Sequence, residues 1–271
     1  MELKNKMNRG YFNSVYLGNW ADMYFRHLSK FLVKFILKVK WVTPNFITVF
    51  SSFIFIAGCL MLFINIPYHL YYAALLIFIG YIGDLLDGDL ARKRNMKSFY
   101  GGYLDAVADV IKIYFITISL SIATYIITDN IIYIFLGFTI CASFLSRFYI
   151  KQIASKFGFI KELEKNPKFI YNRFEIERRW KQKLELKYDK LSKTLVGKLK
   201  ILWLKNKNVF LVDEAEIAIF TGLAAIFNQL VIWIWILVFL QLSIVIFRLF
   251  QRGYQLKTGD IKLIQKTYLE I

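Results

Sequence analysis

The sequence predicts an all-α integral membrane bundle of six transmembrane helices with an N-terminal amphipathic interfacial helix. Hydrophobic residues make up 57% of the 271 residues and charged residues only 20%. The apolar residues come in long blocks, and about 20 predominantly apolar residues are enough to cross a bilayer. The charge is strongly basic, with a formal net value of +17 at pH 7. Because the basic residues flank the apolar blocks, the pattern indicates a membrane bundle.

The N-terminal segment, residues 1–45, is predicted to lie in the cytoplasm and to include an amphipathic helix over 18–41. The residues expected on its apolar side are Trp20, Tyr24, Leu28, Leu32 and Phe35, and those expected on its basic side are Lys30, Lys34 and Lys38. Such a helix suits the headgroup layer of a membrane. A cytosolic helix packed on the rest of the protein would show the same pattern.

Six apolar segments are candidates for spans. They lie near residues 46–65, 70–86, 102–126, 131–150, 213–229 and 231–250, so four fall within 46–150 and two within 213–250. Pro44 suits the first turn of the first of these helices. Residues 217–247 carry no charge and could form one long helix, but Asn228-Gln229 offers a turn between two spans.

The distribution of Lys and Arg predicts the topology. Residues 43–91, 113–146 and 208–247 contain no Lys or Arg, so the short connections within these stretches carry no positive charge. Under the positive-inside rule, the ends that carry the basic residues face the cytoplasm. These ends include an insertion-like basic segment at 151–212 and a tail at 251–271. Six spans with both termini inside satisfy the rule, whereas a fused last helix would place a basic tail outside.

The basic residues need a partner, and their setting favours lipid over nucleic acid. They flank membrane segments and are interleaved with Trp, Phe and Leu. Juxtamembrane basic clusters of this kind bind anionic headgroups. We therefore expect anionic membrane lipids as partners and no nucleic acid.

Four aspartates in two pairs form the candidate site, namely Asp84 with Asp87 and Asp105 with Asp109. Residues three or four apart share a helix face, so each pair presents its carboxylates in one direction. Two helices side by side would bring all four to one place. Hard divalent cations take oxygen ligands and also bind substrate phosphates. The pattern therefore predicts a site for metal ions and a phosphorylated substrate.

The spacing around these aspartates is D-x2-D-G-x2-A-R-x8-G-x3-D-x3-D, which runs from Asp84 to Asp109. At every defined position this stretch resembles the signature of the CDP-alcohol phosphotransferases. The resemblance implies a homodimer of six-span chains with the signature on the second and third spans. It also implies transfer of a phosphoalcohol group from a CDP-linked donor to an acceptor hydroxyl, with release of CMP.

The resemblance assigns roles within the signature. Asp84, Asp87 and Asp105 are implied to be ligands of two Mg²⁺ (or Mn²⁺) ions, and Asp109 is implied to be both a ligand and the base that takes the acceptor's proton. The implied contacts to the donor substrate are Gly88, Ala91, Arg92, Ser98, Gly101, Asn45 and Thr48.

Several nearby residues have more than one interpretation. Asn45 could contact the donor or simply belong to a helix start that Thr43 caps. Lys112 could bind a phosphate or extend to the membrane surface. Arg147 could bind a phosphorylated acceptor or anchor the fourth span at the cytoplasmic face. Asp89 is not a defined position of the signature and is interpreted as a solvated neighbour.

The leading functional prediction is an enzyme of phospholipid synthesis that transfers a phosphatidyl group from CDP-diacylglycerol, or an ether analogue, to a small polar alcohol. The alternative is a soluble CDP-alcohol that donates to diacylglycerol. An ion or proton transporter could also use intramembrane aspartates, but it would leave Gly88, Ala91 and Arg92 without a role. The identity of the acceptor is left open, because the residues of the signature are implied to contact mainly the nucleotide and the metal ions.

Overall fold

A computed structural model of the protein describes residues 20–165, 194 and 212–258. Within them the helices are α1 Trp20–Ile36, α2 Pro44–Met61, α3 His69–Arg94, α4 Phe99–Thr128, α5 Ile132–Lys165, α6 Glu214–Ile226 and α7 Leu230–Thr258. No strand occurs among these residues, which agrees with the all-α prediction. Most of the predicted insertion, residues 1–19 of the N-terminal segment and residues 259–271 of the tail lie outside the described residues.

Five helices of the described part are long and apolar enough to cross a membrane. They are α2, α3, α4, the Ile132–Ala154 part of α5 and the Leu230–Tyr254 part of α7. These five correspond to the predicted spans one to four and six. Helix α6 has only 13 residues, about 20 Å of helix, against a hydrocarbon core of about 30 Å. Six spans therefore stay a prediction.

The connection between α6 and α7 shows that they are two helices. Helix α6 ends at Ile226 and α7 begins at Leu230. Asn228 between them has a φ of 54°, a left-handed conformation that interrupts a right-handed helix. The turn expected at Asn228-Gln229 is thus present, and the alternative of one long helix over 217–247 is wrong.

Side-chain caps begin the helices that carry the site. Thr43 accepts a hydrogen bond from the backbone N–H of Phe46 at 3.2 Å, with Pro44 in the first turn of α2. Ser98 accepts from the N–H of Gly101 at 2.9 Å at the start of α4. Such caps satisfy backbone donors that have no partner within the helix. Thr43 therefore has the capping role that the sequence allowed.

The chain divides into two compact units. One comprises Gly18–Cys141 and Val209–Leu240, and the other contains the remainder of α5 and α7. In the first unit, a buried core joins Val33 of α1, Ile47 of α2 and Leu85 of α3 with Ala215 of α6. Helix α3 contacts α1, α2 and α6. The acidic stretch therefore begins on a helix that packs against three others in this unit.

Helices α2 and α3 approach each other closely at three glycines. A Cβ atom on Gly80 would lie 2.7 Å from the Cβ of Phe55, and one on Gly83 would lie 2.5 Å from the Cβ of Ser51. On the α2 side, a Cβ on Gly58 would lie 2.7 Å from the backbone nitrogen of Ile77. Small residues allow this kind of backbone contact between membrane helices.

Helix α1 forms within the predicted range, and part of its predicted apolar side is exposed. Tyr24 and Phe35 of that side are exposed by 50% and 53%. Ser29 and Val33 are fully buried instead, on the side where α1 contacts α3 and α6. A polar residue can face inwards here because its hydroxyl finds a partner on α3. The exposed aromatic side suits a lipid interface, and that location of α1 stays a prediction.

Candidate active site

The two aspartate pairs lie on successive helices and border one cavity of the first unit. Asp84 and Asp87 are on α3, and Asp105 and Asp109 are on α4. All four side chains line a cavity of about 220 Å³. The structure therefore brings the four carboxylates around a single space, and their action as metal ligands stays a prediction.

Three of the four carboxylates are close enough to share an ion. Asp84, Asp105 and Asp109 each offer an oxygen within 4.8 Å of the other two. Oxygens bound to one divalent cation at about 2.0–2.6 Å span a similar distance. Asp87 is buried beside them, and its Oδ2 accepts a hydrogen bond from the hydroxyl of Thr48. The donor set of these three residues thus fits Mg²⁺ or Mn²⁺, and a second ion stays a prediction.

Lys112 lies within the acidic cluster. Its Nζ is 2.5 Å from Oδ1 of Asp84 and 2.7 Å from Oδ1 of Asp109, and its side chain is 9% exposed. The ammonium group therefore bridges α3 and α4 and offsets negative charge between them. The side chain contacts the acidic cluster, and its predicted contact with an acceptor phosphate stays a prediction.

Asp89 is buried, so its interpretation as a solvated neighbour is wrong. Its Oδ1 accepts a hydrogen bond from Nη2 of Arg92 at 2.6 Å, and its Oδ2 accepts one from Oγ of Ser29, also at 2.6 Å. The residue itself is only 4% exposed. A buried carboxylate is tolerated when charge and hydrogen bonds satisfy it, and both are present here.

Arg92 lines the cavity next to Gly88. A Cβ atom on Gly88 would lie 3.3 Å from Nη1 of Arg92, so the missing side chain makes room for the guanidinium group. The side chain of Arg92 remains 42% exposed. It is thus both anchored by Asp89 and accessible to a ligand.

The other predicted donor contacts do not line the cavity. These residues are Ala91, Ser98, Gly101, Asn45 and Thr48. A Cβ on Gly101 would meet Oδ1 of Asn45 at 3.2 Å, so this pair brings the starts of α2 and α4 together. Arg147 belongs to the other unit, where its guanidinium lies 4.8 Å from the ring centre of Phe144. The substrate roles of these residues stay predictions.

Two charged residues line the cavity without having been predicted. Arg26 comes from α1, and Glu214 is the first residue of α6. Neither has a place in the signature. The one available signal for Glu214 was a group of acids at the start of a predicted span. Of that group, Glu216 accepts a hydrogen bond from the backbone N–H of Asp213 at 3.1 Å and caps the helix.

The cavity combines many carboxylates with fewer cations. Its charged side chains in the described residues are Asp84, Asp87, Asp105, Asp109, Glu214, Arg26, Arg92 and Lys112. When all are ionised, five carboxylates and three cations leave a formal charge of −2. A cavity of this charge at the ends of apolar helices attracts cations rather than an anionic substrate alone.

The fold and the site define an integral, multi-pass membrane protein with an acidic pocket suited to divalent cations. Residues 41–169 match the family model described as CDP-alcohol phosphatidyltransferase. The match covers a little under half of the chain, and the resemblance of its signature to this family is confirmed. The matched range contains α2 to α5 with all four aspartates. Helices α1 and α6, which supply Arg26 and Glu214, lie outside it.

A relative of the chain comes from Aquifex aeolicus (strain VF5), where it is described as an uncharacterized protein. The two are 37% identical over 86 residues. The aligned segment covers 32% of this chain and 42% of that protein. The chain thus matches less than half the length of this relative.

Proposed function

We propose that the protein transfers a phosphatidyl group from CDP-diacylglycerol, or its ether analogue, to the hydroxyl of a small polar alcohol and releases CMP. The observation that carries the proposal is the signature from Asp84 to Asp109, whose four aspartates border one cavity. The family match over residues 41–169 and the long apolar helices support phosphatidyl transfer at a membrane.

The carboxylates would hold two divalent cations, Mg²⁺ or Mn²⁺. Asp84, Asp105 and Asp109 are grouped closely enough for one ion, and Asp87 would add its oxygens to a second. Bound cations would neutralise charge that develops on the pyrophosphate as its bond breaks. Two of them would change the formal charge of the cavity from −2 to +2. This value suits a substrate that carries a pyrophosphate.

Side chains of the protein supply the remaining chemistry. Asp109 accepts the proton of the acceptor hydroxyl, since a hydroxyl is a poor nucleophile until a base withdraws its proton. The acceptor oxygen then bonds to the lipid-linked phosphorus while the phosphorus–oxygen bond to CMP breaks. Arg92 contacts the donor phosphates, because a guanidinium group offers two parallel hydrogen bonds to phosphate oxygens.

The same proposal sets the orientation and the partners. Residues 43–91, 113–146 and 208–247 contain no Lys or Arg. Under the positive-inside rule this favours a cytoplasmic site with both termini inside. Anionic lipids would bind the basic segments. A homodimer is part of the proposal because the family resemblance implies one.

The test is CMP release by the purified protein in lipid micelles. CDP-diacylglycerol is supplied with glycerol 3-phosphate, serine, inositol or inositol phosphate in turn, and soluble CDP-alcohols are supplied with diacylglycerol. Release that depends on CDP-diacylglycerol and on one alcohol would support the proposal. Release only from soluble CDP-alcohols would reverse the donor and the acceptor, and no release from any donor would overturn phosphatidyl transfer.

Asp109→Asn tests the base. We expect turnover to fall by about 10²–10⁴-fold, the usual contribution of a general base, while CMP still raises the melting temperature. Asp129→Asn is the matched control, because Asp129 lies in the turn after α4, where its φ is 50° and Asn is equally tolerated. Unchanged turnover in Asp109→Asn would remove Asp109 as the base.

A further inference from the structure

Helix α1 reaches the cavity through Arg26 and contacts α3 through Ser29, although it lies outside the family match. Arg26 lines the cavity, and Ser29, three residues later, is fully buried. Residues three apart share a helix face, so this face of α1 is directed at α3. The contacts of Ser29 show what the face does there.

Ser29 and Arg92 are joined by one carboxylate. The hydroxyl of Ser29 donates to Oδ2 of Asp89 at 2.6 Å, and Nη2 of Arg92 donates to Oδ1 of the same group at 2.6 Å. Each carboxylate oxygen therefore has its own donor. Hydrogen bonds to charged groups are shorter and stronger than neutral ones.

The two partners restrict Asp89 from different helices. Arg92 is one turn along α3, whereas Ser29 is 60 residues away in sequence. Asp89 and Ser29 are buried, whereas Arg92 is partly exposed. The buried pair therefore restricts the conformation of a side chain that lines the cavity. A long arginine side chain otherwise loses much rotamer entropy when it binds a ligand.

We infer that Ser29 and Asp89 are positioning residues that hold Arg92 in place for the donor's phosphates, which makes α1 part of the donor site. The inference rests on the proposed function, because it takes Arg92 as a contact to a CDP-linked donor. Asp89 directs one nitrogen of Arg92 to itself and leaves Nη1 beside Gly88. A donor phosphate above Gly88 would therefore meet a guanidinium group that is already oriented.

The experiment is a double-mutant cycle on the kinetics of CMP release. We measure kcat and the KM for CDP-diacylglycerol and for the acceptor in the wild type, Ser29→Ala, Asp89→Asn, Arg92→Ala and the pair Ser29→Ala/Arg92→Ala. In the wild-type background, Ser29→Ala is expected to raise the donor KM by about 3- to 10-fold, the usual size of one hydrogen bond. The acceptor KM should stay within about two-fold of the wild-type value, because Ser29 acts only through Arg92.

Asp89→Asn is the second variant, since it keeps the shape of the side chain and loses the ion pair. It should raise the donor KM by at least as much as Ser29→Ala, because Arg92 loses a charged partner. In the Arg92→Ala background, Ser29→Ala should change the donor KM by less than about two-fold, because non-additivity marks residues that act together.

Ser121→Ala is the matched control. Ser121 is also buried and donates a hydrogen bond of 2.7 Å, to the backbone oxygen of Tyr133. Its loss should lower the melting temperature and leave the donor KM unchanged. An equal effect of Ser29→Ala on the donor KM with and without Arg92, or an equal rise of the donor and acceptor KM values, would overturn this inference. Either result would leave the proposed function standing. A wild type that releases no CMP from any donor would overturn the proposed function and this inference with it.

Discussion

At the scale of single residues, Lys112 gives the acidic cluster a cation of its own. It contacts Asp84 and Asp109 at 2.5 and 2.7 Å, so one ammonium group joins carboxylates of two helices. Like charges held together without a counter-ion would repel one another strongly at low dielectric. The lysine therefore stabilises the carboxylates in the state without metal.

Replacing Lys112 by Met should lower stability most when no metal is present. Breaking a buried ion pair costs about 3–5 kcal/mol, and we expect about 1–3 kcal/mol here because the side chains of Asp84 and Asp109 keep 20–24% exposure. The measurement is thermal unfolding in detergent with EDTA and with Mg²⁺.

Magnesium should narrow the difference between Lys112→Met and the wild type, because a divalent cation would neutralise the same carboxylates. Lys97→Met is the control, since Lys97 is exposed in the turn between α3 and α4. A loss of stability that is equal with and without Mg²⁺ would show that metal binding does not replace the lysine.

At the scale of elements, the contact between α2 and α3 places Thr48 against Asp87. The two helices approach at Gly58, Gly80 and Gly83, where added Cβ atoms would clash. The hydroxyl of Thr48 can then donate to the carboxylate of Asp87. The geometry of one predicted metal ligand therefore depends on glycines that lie outside the signature.

Gly80→Ala should destabilise the protein by about 1–3 kcal/mol, the usual cost of overpacking. The new Cβ would lie 2.7–2.8 Å from atoms of Phe55, including its backbone, which cannot move easily. Gly102→Ala is the control, because nothing lies within 4 Å of its added Cβ and alanine favours a helix. The measurement is the melting temperature of each variant in the same detergent. Equal melting temperatures for the two variants would show that the added methyl group at position 80 does not clash.

At the scale of the whole molecule, the number of spans decides on which side α7 ends. Five described helices have the length and hydropathy of spans, while α6 has 13 residues. The absence of Lys and Arg from residues 208–247 still favours an external turn between α6 and α7. The proposed topology with both termini inside requires this turn to be external.

Labelling of single cysteines tests that topology. In a background without Cys59 and Cys141, Gln229→Cys in the turn after α6 should react with a membrane-impermeant maleimide in intact cells, because the turn lacks positive charge. Asn65→Cys, in the turn after α2, is the external control. Lys97→Cys should react only after the membrane is permeabilised. Labelling of Gln229→Cys only from the inside would show that α6 does not cross.

The sequence by itself determined the helical membrane class, five of the long apolar helices and the family that the signature resembles. These properties are local, since hydropathy and the spacing of Asp84, Asp87, Asp105 and Asp109 can be read along one chain. The turn at Asn228-Gln229 was also visible, because a polar pair interrupts an apolar run.

Only the tertiary structure decided which side of α1 is buried and which side chains reach the cavity. Periodicity groups the apolar residues of a helix but does not say whether they meet protein or lipid, and Phe35 is exposed while Ser29 is buried. The contact of Ser29 with Asp89 joins residues 60 apart, and that of Lys112 with Asp84 joins residues 28 apart. Such partners depend on how helices pack, because a polar side chain is buried where another chain segment satisfies it.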